Sequence, residues 1–595
     1  MRTLPPAGQS LPCLSGRVLV PGSASGRVVA SGTELSFWGG VDPASGLIID
    51  QHHPLNGQSL VGAILVLPGG RGSCTGSAVM LELLMAGHGP AGLVLARPDE
   101  ILTLGVIVAR ELFGVSIPVV VLDETGFAAA KAAGQIRLSD GQVWRDEGSI
   151  PGAEEATGSS AHTAGQITDG IDLSPTDEAL LSGAHGEAAA VAMRIVLQMA
   201  ALTGATRLID VTRAHIDGCI YTGPGMLAFA ERLQALGGKV AVPTTLNAIS
   251  VDARRWRAQG IDAALGEPAA RLGETYAALG ARPTYTCAPY LADAIPAVGE
   301  QIAWAESNAV VYANSVLGAR TMKYPDFLDA CIALTGRAPD AGCHRDEGRR
   351  AVMEVVFPSF AGIDDSFFPL AGYLTGLIAG NRIPVVSGLA HYAPDRDALK
   401  AFGAAFATSS SAPMFHIAGV TPEAMGGSEA DAVAKAAGGR PVTALGIVTE
   451  VVRNCWWDLN LAEGETVDLV SIGNPHASLE EIAVLAGLVA GRRKHADVAF
   501  VITCGRTIEA QAEGAGHLAA LRAYGAEIVT DTCWCMVTEP IIPPKARVIL
   551  TNSGKFAHYG PGLTGRAFRF AGLAACVEAA CSGRAPREMP EWLSA

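Results

Sequence analysis

VDLVSIGNPHASLEEIAVLAGLVAGRRKHADVAFVITC, residues 467–504, holds one complete strand–helix–strand unit. A short apolar run (VDLVSIG, 467–473) ends in a turn, a helical connection follows (SLEEIAVLAGLVAG, 478–491), and a second apolar run (DVAFVITC, 497–504) closes it. The same alternation extends in both directions. Further strand candidates are RLIDVT (207–212), KVAVPTT (239–245), AVVYANS (309–315), PVVSGL (384–389), TALGIV (443–448), AEIVTDT (526–532) and RVILTNS (547–553), and GAGHLAALRAYG (514–525) is another helical connection. Short apolar strands separated by helices predict parallel, doubly wound α/β sheets. Ligands of such sheets gather beyond the carboxyl ends of the strands, so polar residues just after each strand are the ones to inspect.

The 595 residues are too many for one core, and a boundary is visible. Residues 141–171, including GSIPGAEEATGSSAHTAGQITDG, are small and polar without apolar period and read as a linker. Residues 1–140 then form a small β/α domain, with strands GRVLV, GRVVA, GAILVLP, GLVLA and IPVVVL and helices SAVMLELLMAG and ILTLGVIVARELF. Residues 172–595 form the large region. It opens with one long helix from Ser174, where Pro175 suits the first turn and Asp177 and Glu178 suit its positive end.

Apolar residues make up 49% of the chain and charged residues 17%, with 70 glycines, which excludes disorder and fits a large buried sheet. No uncharged apolar run reaches the roughly 18 residues of a membrane span, and the first fifteen residues lack the apolar centre of a signal peptide. A cytoplasmic location is expected. A net charge of −15 argues against nucleic acid as a partner. Twelve cysteines in a reducing compartment do not read as a disulfide framework.

Three cysteines stand at strand ends or extended runs: Cys287 in PTYTCAPY, Cys504 ending DVAFVITC, and Cys533 in DTCWC. Three soft thiolates converging at one sheet edge suit an iron–sulfur cluster, and three unrelated buried thiols would look the same in sequence. Cys535 shares the face of Cys533 and reads as packing. The turn PGGRGSCTGS (68–77) offers backbone N–H groups and a helix N-terminus to a carboxylate, with Arg71 as its cation and Ser73 or Ser77 as a proton-transfer group. Lacking Lys after its last glycine, it is not a phosphate-binding P-loop. Other polar groups at strand ends are His215, Asp217, Thr245, Asn247, Glu306, Ser307, Asn314, Ser315, Asn474, His476, Ser553 and Lys555. Each could cap a helix or satisfy a buried backbone group; together they make a rim suited to a small polar substrate. Neither GxGxxG after a strand nor HExxH occurs, which argues against dinucleotide and zinc-protease chemistry.

SFWGGVDPASGLIID (36–50), HPLNGQ (53–58) and the PGGRGSCTGS turn resemble the small swivel-type component of the aconitase X family. PTTLNAISVD (243–252), TCAPYL (286–291), WAESNAVVYANSVLGART (304–321), NPHASLEE (474–481), DTC (531–533) and TNSGKFAHY (551–559) resemble its large component. The resemblance implies an aconitase-like fold with both components fused at the linker, so that no separate subunit is needed. It implies a lyase that dehydrates a hydroxy acid at an iron–sulfur centre, expected as a 2Fe-2S cluster with 4Fe-4S or a single iron as alternatives. Fused bacterial members dehydrate cis-3-hydroxy-L-proline, through the Δ2 enamine, to Δ1-pyrroline-2-carboxylate; archaeal relatives act on mevalonate 5-phosphate. The archaeal pattern has Cys at the position of Asn474 and lacks Cys504, so the resemblance makes Cys287, Cys504 and Cys533 the metal ligands here. It makes Ser73 the base, assisted by Arg71, with His215, Asp217, Thr245, Asn247, Glu306, Ser307, Ser553 and Lys555 facing substrate. A dehydratase of another hydroxy acid is the first alternative; for a phosphorylated one the available cations are Arg71, Arg320 and Lys555. A non-catalytic iron–sulfur protein is the second, and it would not need the polar rim.

Overall fold

Apolar runs of the N-terminal part pair as a mixed eight-stranded sheet in the computed structural model, which describes residues 13–50, 53–70, 74–145, 169–291, 295–585 and 587–594. The order is Leu14–Ser15, Gln142–Arg145, Gln135–Ser139, Ser23–Ala30, Ile64–Leu67, Gly92–Leu95, Val119–Val121, Arg17–Val20. The stretch from Ser23–Ala30 to Val119–Val121 is parallel and the flanking pairs are antiparallel. Ile64–Leu67 and Gly92–Leu95 are buried along their whole length, which is why they read as unbroken apolar runs. Strand Gln142–Arg145 falls within the first residues of the expected linker; residues 146–168 of that linker lie outside the described residues.

The chain divides into two compact units, one of Met1–Ile209, Thr222–Gly238 and Pro325–Asp340, the other of Asp210–Tyr221, Lys239–Tyr324 and Ala341–Ala595. In the first unit, helix Glu100–Phe113 packs on helix Glu187–Thr203, where Arg194 Nε and Gln198 Nε2 each donate to the Glu111 carboxylate at 3.0 Å. The single helix expected from Ser174 is instead two, Pro175–Leu181 and Glu187–Thr203. Gly183 and Gly186 between them take φ of +84° and +98°, and a right-handed helix cannot continue through such residues. Ser174 and Asp177 cap the first helix reciprocally. Asp177 also accepts from Arg337 Nε at 2.7 Å and Nη2 at 3.1 Å, both side chains being buried.

Among the described residues the second unit holds three parallel sheets. Four strands run in the order His416–Ile417, Pro384–Ser387, Met353–Val356, Thr443–Gly446, and three in the order Thr244–Leu246, Ala214–Ile216, Ala303–Trp304. Five strands run in the order Glu527–Thr530, Ala499–Cys504, Leu469–Ala477, Val548–Thr551, Ala567–Phe570. The chain enters this last sheet at its centre, builds two strands to one side and then two to the other. The central strand is therefore the topological switch point, where a crevice opens at the carboxyl ends. Doubly wound parallel α/β architecture is what the sequence predicts.

Two strand assignments change. AVVYANS is helix Ser307–Tyr312 running into a π-helical turn, Ala313–Leu317, because the Glu306 carboxylate caps it by accepting from the Ala309 N–H at 2.8 Å. A short apolar run cannot by itself tell buried helix from strand. In KVAVPTT only Thr244–Leu246 pairs. Among the described residues no helix is long and apolar enough to cross a membrane.

Burial pushes the Asp177 carboxyl up, but hydrogen bonds from Arg337 and Ser174 and the guanidinium charge outweigh it and hold the group below the usual carboxylate range. A depressed carboxyl stabilises the fold above its unfolded pKa of roughly 4, and that contribution is lost as pH falls through the lower folded value. Asp177→Asn should lower stability by about 3 kcal/mol at neutral pH, the scale for one partner of a buried pair. In denaturant unfolding from pH 7 down towards pH 3 the deficit should shrink. A deficit that stays constant over that range would contradict the pairing.

Candidate active site

The site begins with an interruption of the central strand Leu469–Ala477. Ile472 pairs with Ile502 and Ala477 with Cys504, so residues 473–476 swing out opposite Thr503 alone. Gly473 opens the excursion at φ +96°, and a Cβ there would run into the Thr503 carbonyl oxygen. Thr503 Oγ1 donates to the Gly473 carbonyl at 2.6 Å. Only glycine fits. The excursion carries Asn474, a cis peptide to Pro475, and His476 to the end of the sheet.

His476 is fully buried between two other segments. Its Nε2 lies 2.8 Å from the Thr532 carbonyl, which only accepts, so Nε2 carries the proton and Nδ1 accepts from Thr286 Oγ1 at 3.1 Å. Its backbone N–H donates to Cys287 Sγ at 3.3 Å. Burial pushes the imidazole down to about 4, so it is neutral near pH 7.

Cys287 and Cys533 pack together against Ala248, with Cys535 beside them. The Cys533 thiol is pushed up to about 12, first by its hydrogen bond with Cys287 and then by burial, against a hydrogen bond with Cys535 and the charge of Lys555. Asn474 Nδ2 donates to Cys535 Sγ at 3.5 Å. Ile249 N–H donates to the Asp531 carbonyl at 2.7 Å, which ties the 247–249 segment to the loop of Cys533. Cys504 packs elsewhere, in the sheet core with Ile502 and Ile508, and burial pushes its thiol up to about 12.

Lys555 Nζ lies 2.8 Å from Glu306 Oε1, both side chains nearly buried. Burial pushes the ammonium down, but Glu306 and the thiols of Cys535, Cys533 and Cys287 outweigh it and hold Lys555 well above its usual value, so it stays charged. The second Glu306 oxygen accepts from Asn308 Nδ2, which also donates to the Cys287 carbonyl at 2.7 Å. The ion pair is thereby fixed to a cysteine loop. Ser553 caps helix Gly554–Thr564, accepting from Phe556 N–H at 3.1 Å, and donates to the Asn474 carbonyl.

The other sequence candidates fall around this centre or outside it. Asn247 Nδ2 donates to Asp217 Oδ1, and both are buried at the carboxyl ends of their strands. His215 is fully buried with Nδ1 2.8 Å from Thr245 Oγ1, and burial pushes it down to about 3. Ser307 is half-buried in the first turn of its helix. Ser77 is buried in helix Gly76–Met85 and donates to the Cys74 and Asp326 carbonyls at 2.9 and 3.1 Å. Arg71 and Ser73 lie outside the described residues. Sequence reasoning passed over Thr286, Thr532, Asn308 and Arg506. A signal existed: the dipeptide Thr-Cys occurs at 286–287, 503–504 and 532–533.

Adjacent soft thiols beside a fixed cation, with a backbone N–H aimed at one sulfur, form a donor set that suits an iron–sulfur cluster. Among the described residues no three His, Cys, Asp or Glu side chains surround a single metal-ion position.

Four family models match the chain: the Aconitase X swivel domain over residues 13–143, and the Aconitase X first, second and third domains over 170–347, 350–453 and 467–582. A Pseudomonas aeruginosa protein named cis-3-hydroxy-L-proline dehydratase is 57% identical over 579 residues, 97% of this chain and 98% of its own. The phosphomevalonate dehydratase of Methanothermobacter thermautotrophicus matches as two proteins. Its large subunit is 35% identical over 66% of this chain and 95% of its own length, and its small subunit 42% identical over 16% and 71%. This single chain thus spans what that relative divides between two. The crystal structure of Thermococcus kodakaraensis aconitase X in its holo-form superposes with a TM-score of 0.61 at 29% identity, covering 69% of this chain and all of that one. The chain belongs to the aconitase X family.

Proposed function

We propose that the chain is a hydro-lyase converting cis-3-hydroxy-L-proline, through the Δ2 enamine, to Δ1-pyrroline-2-carboxylate, with an iron–sulfur cluster held by Cys287, Cys533 and a third thiol. The observation that carries this reading is the group of Cys287, Cys533 and Cys535 beside the buried Lys555–Glu306 pair at the sheet's switch point. The 57% identity to a relative of that name supports the substrate. For the third ligand, the family pattern favours Cys504 and the packing favours Cys535. A 2Fe-2S cluster agrees with three thiols.

The reaction removes the proton from C2, which bears the carboxylate, while hydroxide leaves C3; water is released and the enamine tautomerises to the imine. When bound, the cluster supplies an iron that can act as Lewis acid to the hydroxyl. Lys555 offers a permanent charge to the substrate carboxylate, and Glu306 fixes its position. Asp217, Asn247 and Ser553 present polar atoms at the rim. Thr245 contacts the His215 imidazole from the adjacent strand, and Ser307 opens the helix that Glu306 caps. Ser73 is the base for the C2 proton in this reading, with the Arg71 charge lowering its hydroxyl's pKa and stabilising the developing carboxylate charge. A phosphorylated substrate, with more charge to neutralise than a single carboxylate, fits less well: beside Lys555 the candidate Arg320 is engaged with Asp346 and the His344 carbonyl. A cytoplasmic location is part of this reading; the twelve cysteines are free. The partner in this reading is a small-molecule substrate, with the acidic net charge arguing against nucleic acid and the fused chain needing no separate small subunit.

Anaerobically prepared protein should contain iron and sulfide and consume cis-3-hydroxy-L-proline; loaded protein inert towards it and active on mevalonate 5-phosphate would overturn the substrate assignment. Cys287→Ser and Cys533→Ser should each lose visible absorbance and activity together. Of Cys504→Ser and Cys535→Ser, one should do the same and thereby identify the third ligand; full absorbance in both would refute a three-cysteine site.

Ser73→Ala should lower kcat by a factor of about 10² or more with the visible spectrum unchanged, the scale of a lost general base. Near-parental kcat would move the base elsewhere. Lys555→Met should raise KM by about tenfold or more, the loss of a hydrogen bond to a charged group; an unchanged KM would remove Lys555 from carboxylate binding.

A further inference from the structure

Cys287 and Cys533 belong to segments far apart in sequence, yet the residues before each are held by the same two side chains. One position before the cysteines stand Thr286 and Thr532, and the His476 imidazole joins them, accepting from one hydroxyl and donating to the other's carbonyl. Two positions before stand Tyr285 and Asp531. Both take left-handed φ, +44° and +67°, a region that side-chain-bearing residues adopt only under strain. Arg506 touches both. Its guanidinium carbon lies 4.8 Å over the Tyr285 ring, and it grips the Asp531 carboxylate through two nitrogens, Nη2 to Oδ2 at 2.8 Å.

The rest of the surroundings keeps these contacts in place. Arg506 is the first residue of helix Arg506–Gly514, two positions after Cys504. Gly505 before it lies against Thr286, where a Cβ would come within 3.3 Å of Oγ1. The Tyr285 hydroxyl end seats against Gly273, whose hypothetical Cβ would lie 2.7 Å away. Asp531 Oδ2 also accepts from the Ala253 N–H at 3.1 Å. Strained backbone at matching offsets from two cysteines persists only because its surroundings over-determine it.

We propose that His476 and Arg506 are positioning residues, a two-tier clasp that sets the separation and direction of Cys287 and Cys533 before a cluster is loaded. A rigid donor pair gives up little conformational freedom on binding, so the clasp should act mainly on retention of the cluster. The inference rests on the assignment of a cluster to these cysteines.

The test is anaerobic reconstitution of the full chain and of Arg506→Met, Arg506→Lys, His476→Ala and His476→Gln. Iron and sulfide per chain are measured, along with the rate of visible bleaching by an iron chelator at a temperature where all remain folded. Arg506→Met and His476→Ala should bleach at least tenfold faster than the parent. Arg506→Lys and His476→Gln, which keep the charge or one donor and one acceptor, should fall between. A purely structural role would lower the unfolding midpoint and leave the bleaching rate alone, and parental rates in both Arg506→Met and His476→Ala would overturn the clasp while leaving the cluster standing. If Arg506→Met does not fold, Tyr285→Leu removes the face on which Arg506 stacks, with the same two outcomes. A parent that takes up neither iron nor sulfide overturns the cluster assignment and the clasp with it.

Discussion

The constraint on which the site depends is the outward swing of residues 473–476 from the middle of a parallel sheet. A central strand is paired on both sides, so releasing four residues from it requires somewhere for their backbone to go. Gly473 provides the turn, at a φ and a proximity to Thr503 that exclude any side chain. Everything else at the site hangs on that excursion. His476 reaches the loops of Cys287 and Cys533, Asn474 reaches Cys535, and the Asn474 carbonyl receives the Ser553 hydroxyl that also caps the helix carrying Lys555.

The second organising feature is electrostatic. A buried ammonium and carboxylate are expensive to remove from water, and their attraction offsets this only when each is otherwise well satisfied. Glu306 meets that condition: it caps its own helix, accepts from Asn308 and pairs with Lys555. Asn308 in turn holds the Cys287 backbone. The Lys555 charge opposes the rise that mutual hydrogen bonding and burial impose on the Cys533 and Cys535 thiols.

Much of this was legible in the sequence because parallel strands buried on both faces leave continuous apolar runs. Ile64–Leu67, Gly92–Leu95, Ala499–Cys504 and Val548–Thr551 all fall within such runs. Strands that escaped notice include the short Ala214–Ile216, Met353–Val356 and Ala567–Phe570, and two of another kind. Gln135–Ser139 alternates polar and apolar residues, and Gln142–Arg145 follows it across an Asp140-Gly141 turn, beside what read as a linker. AVVYANS, equally apolar, became a helix because Glu306 caps it. At the site, the residue types were readable and their grouping was not. Cys504 and Cys533 both follow strands, yet the first turns into the sheet core while the second meets Cys287. Cys535, read as packing on the face of Cys533, does pack against the Cys287–Cys533 pair.

The most direct test of a cluster at Cys287 and Cys533 is crystallographic. Crystals of anaerobically prepared protein would be measured on both sides of the iron absorption edge. The account predicts an anomalous peak bounded by the Cys287 and Cys533 sulfurs at roughly 2.3 Å, a distance borrowed from zinc thiolates, with Lys555 beside it. A peak at any other set of side chains, or iron-free sulfurs in protein that is catalytically active, would contradict it.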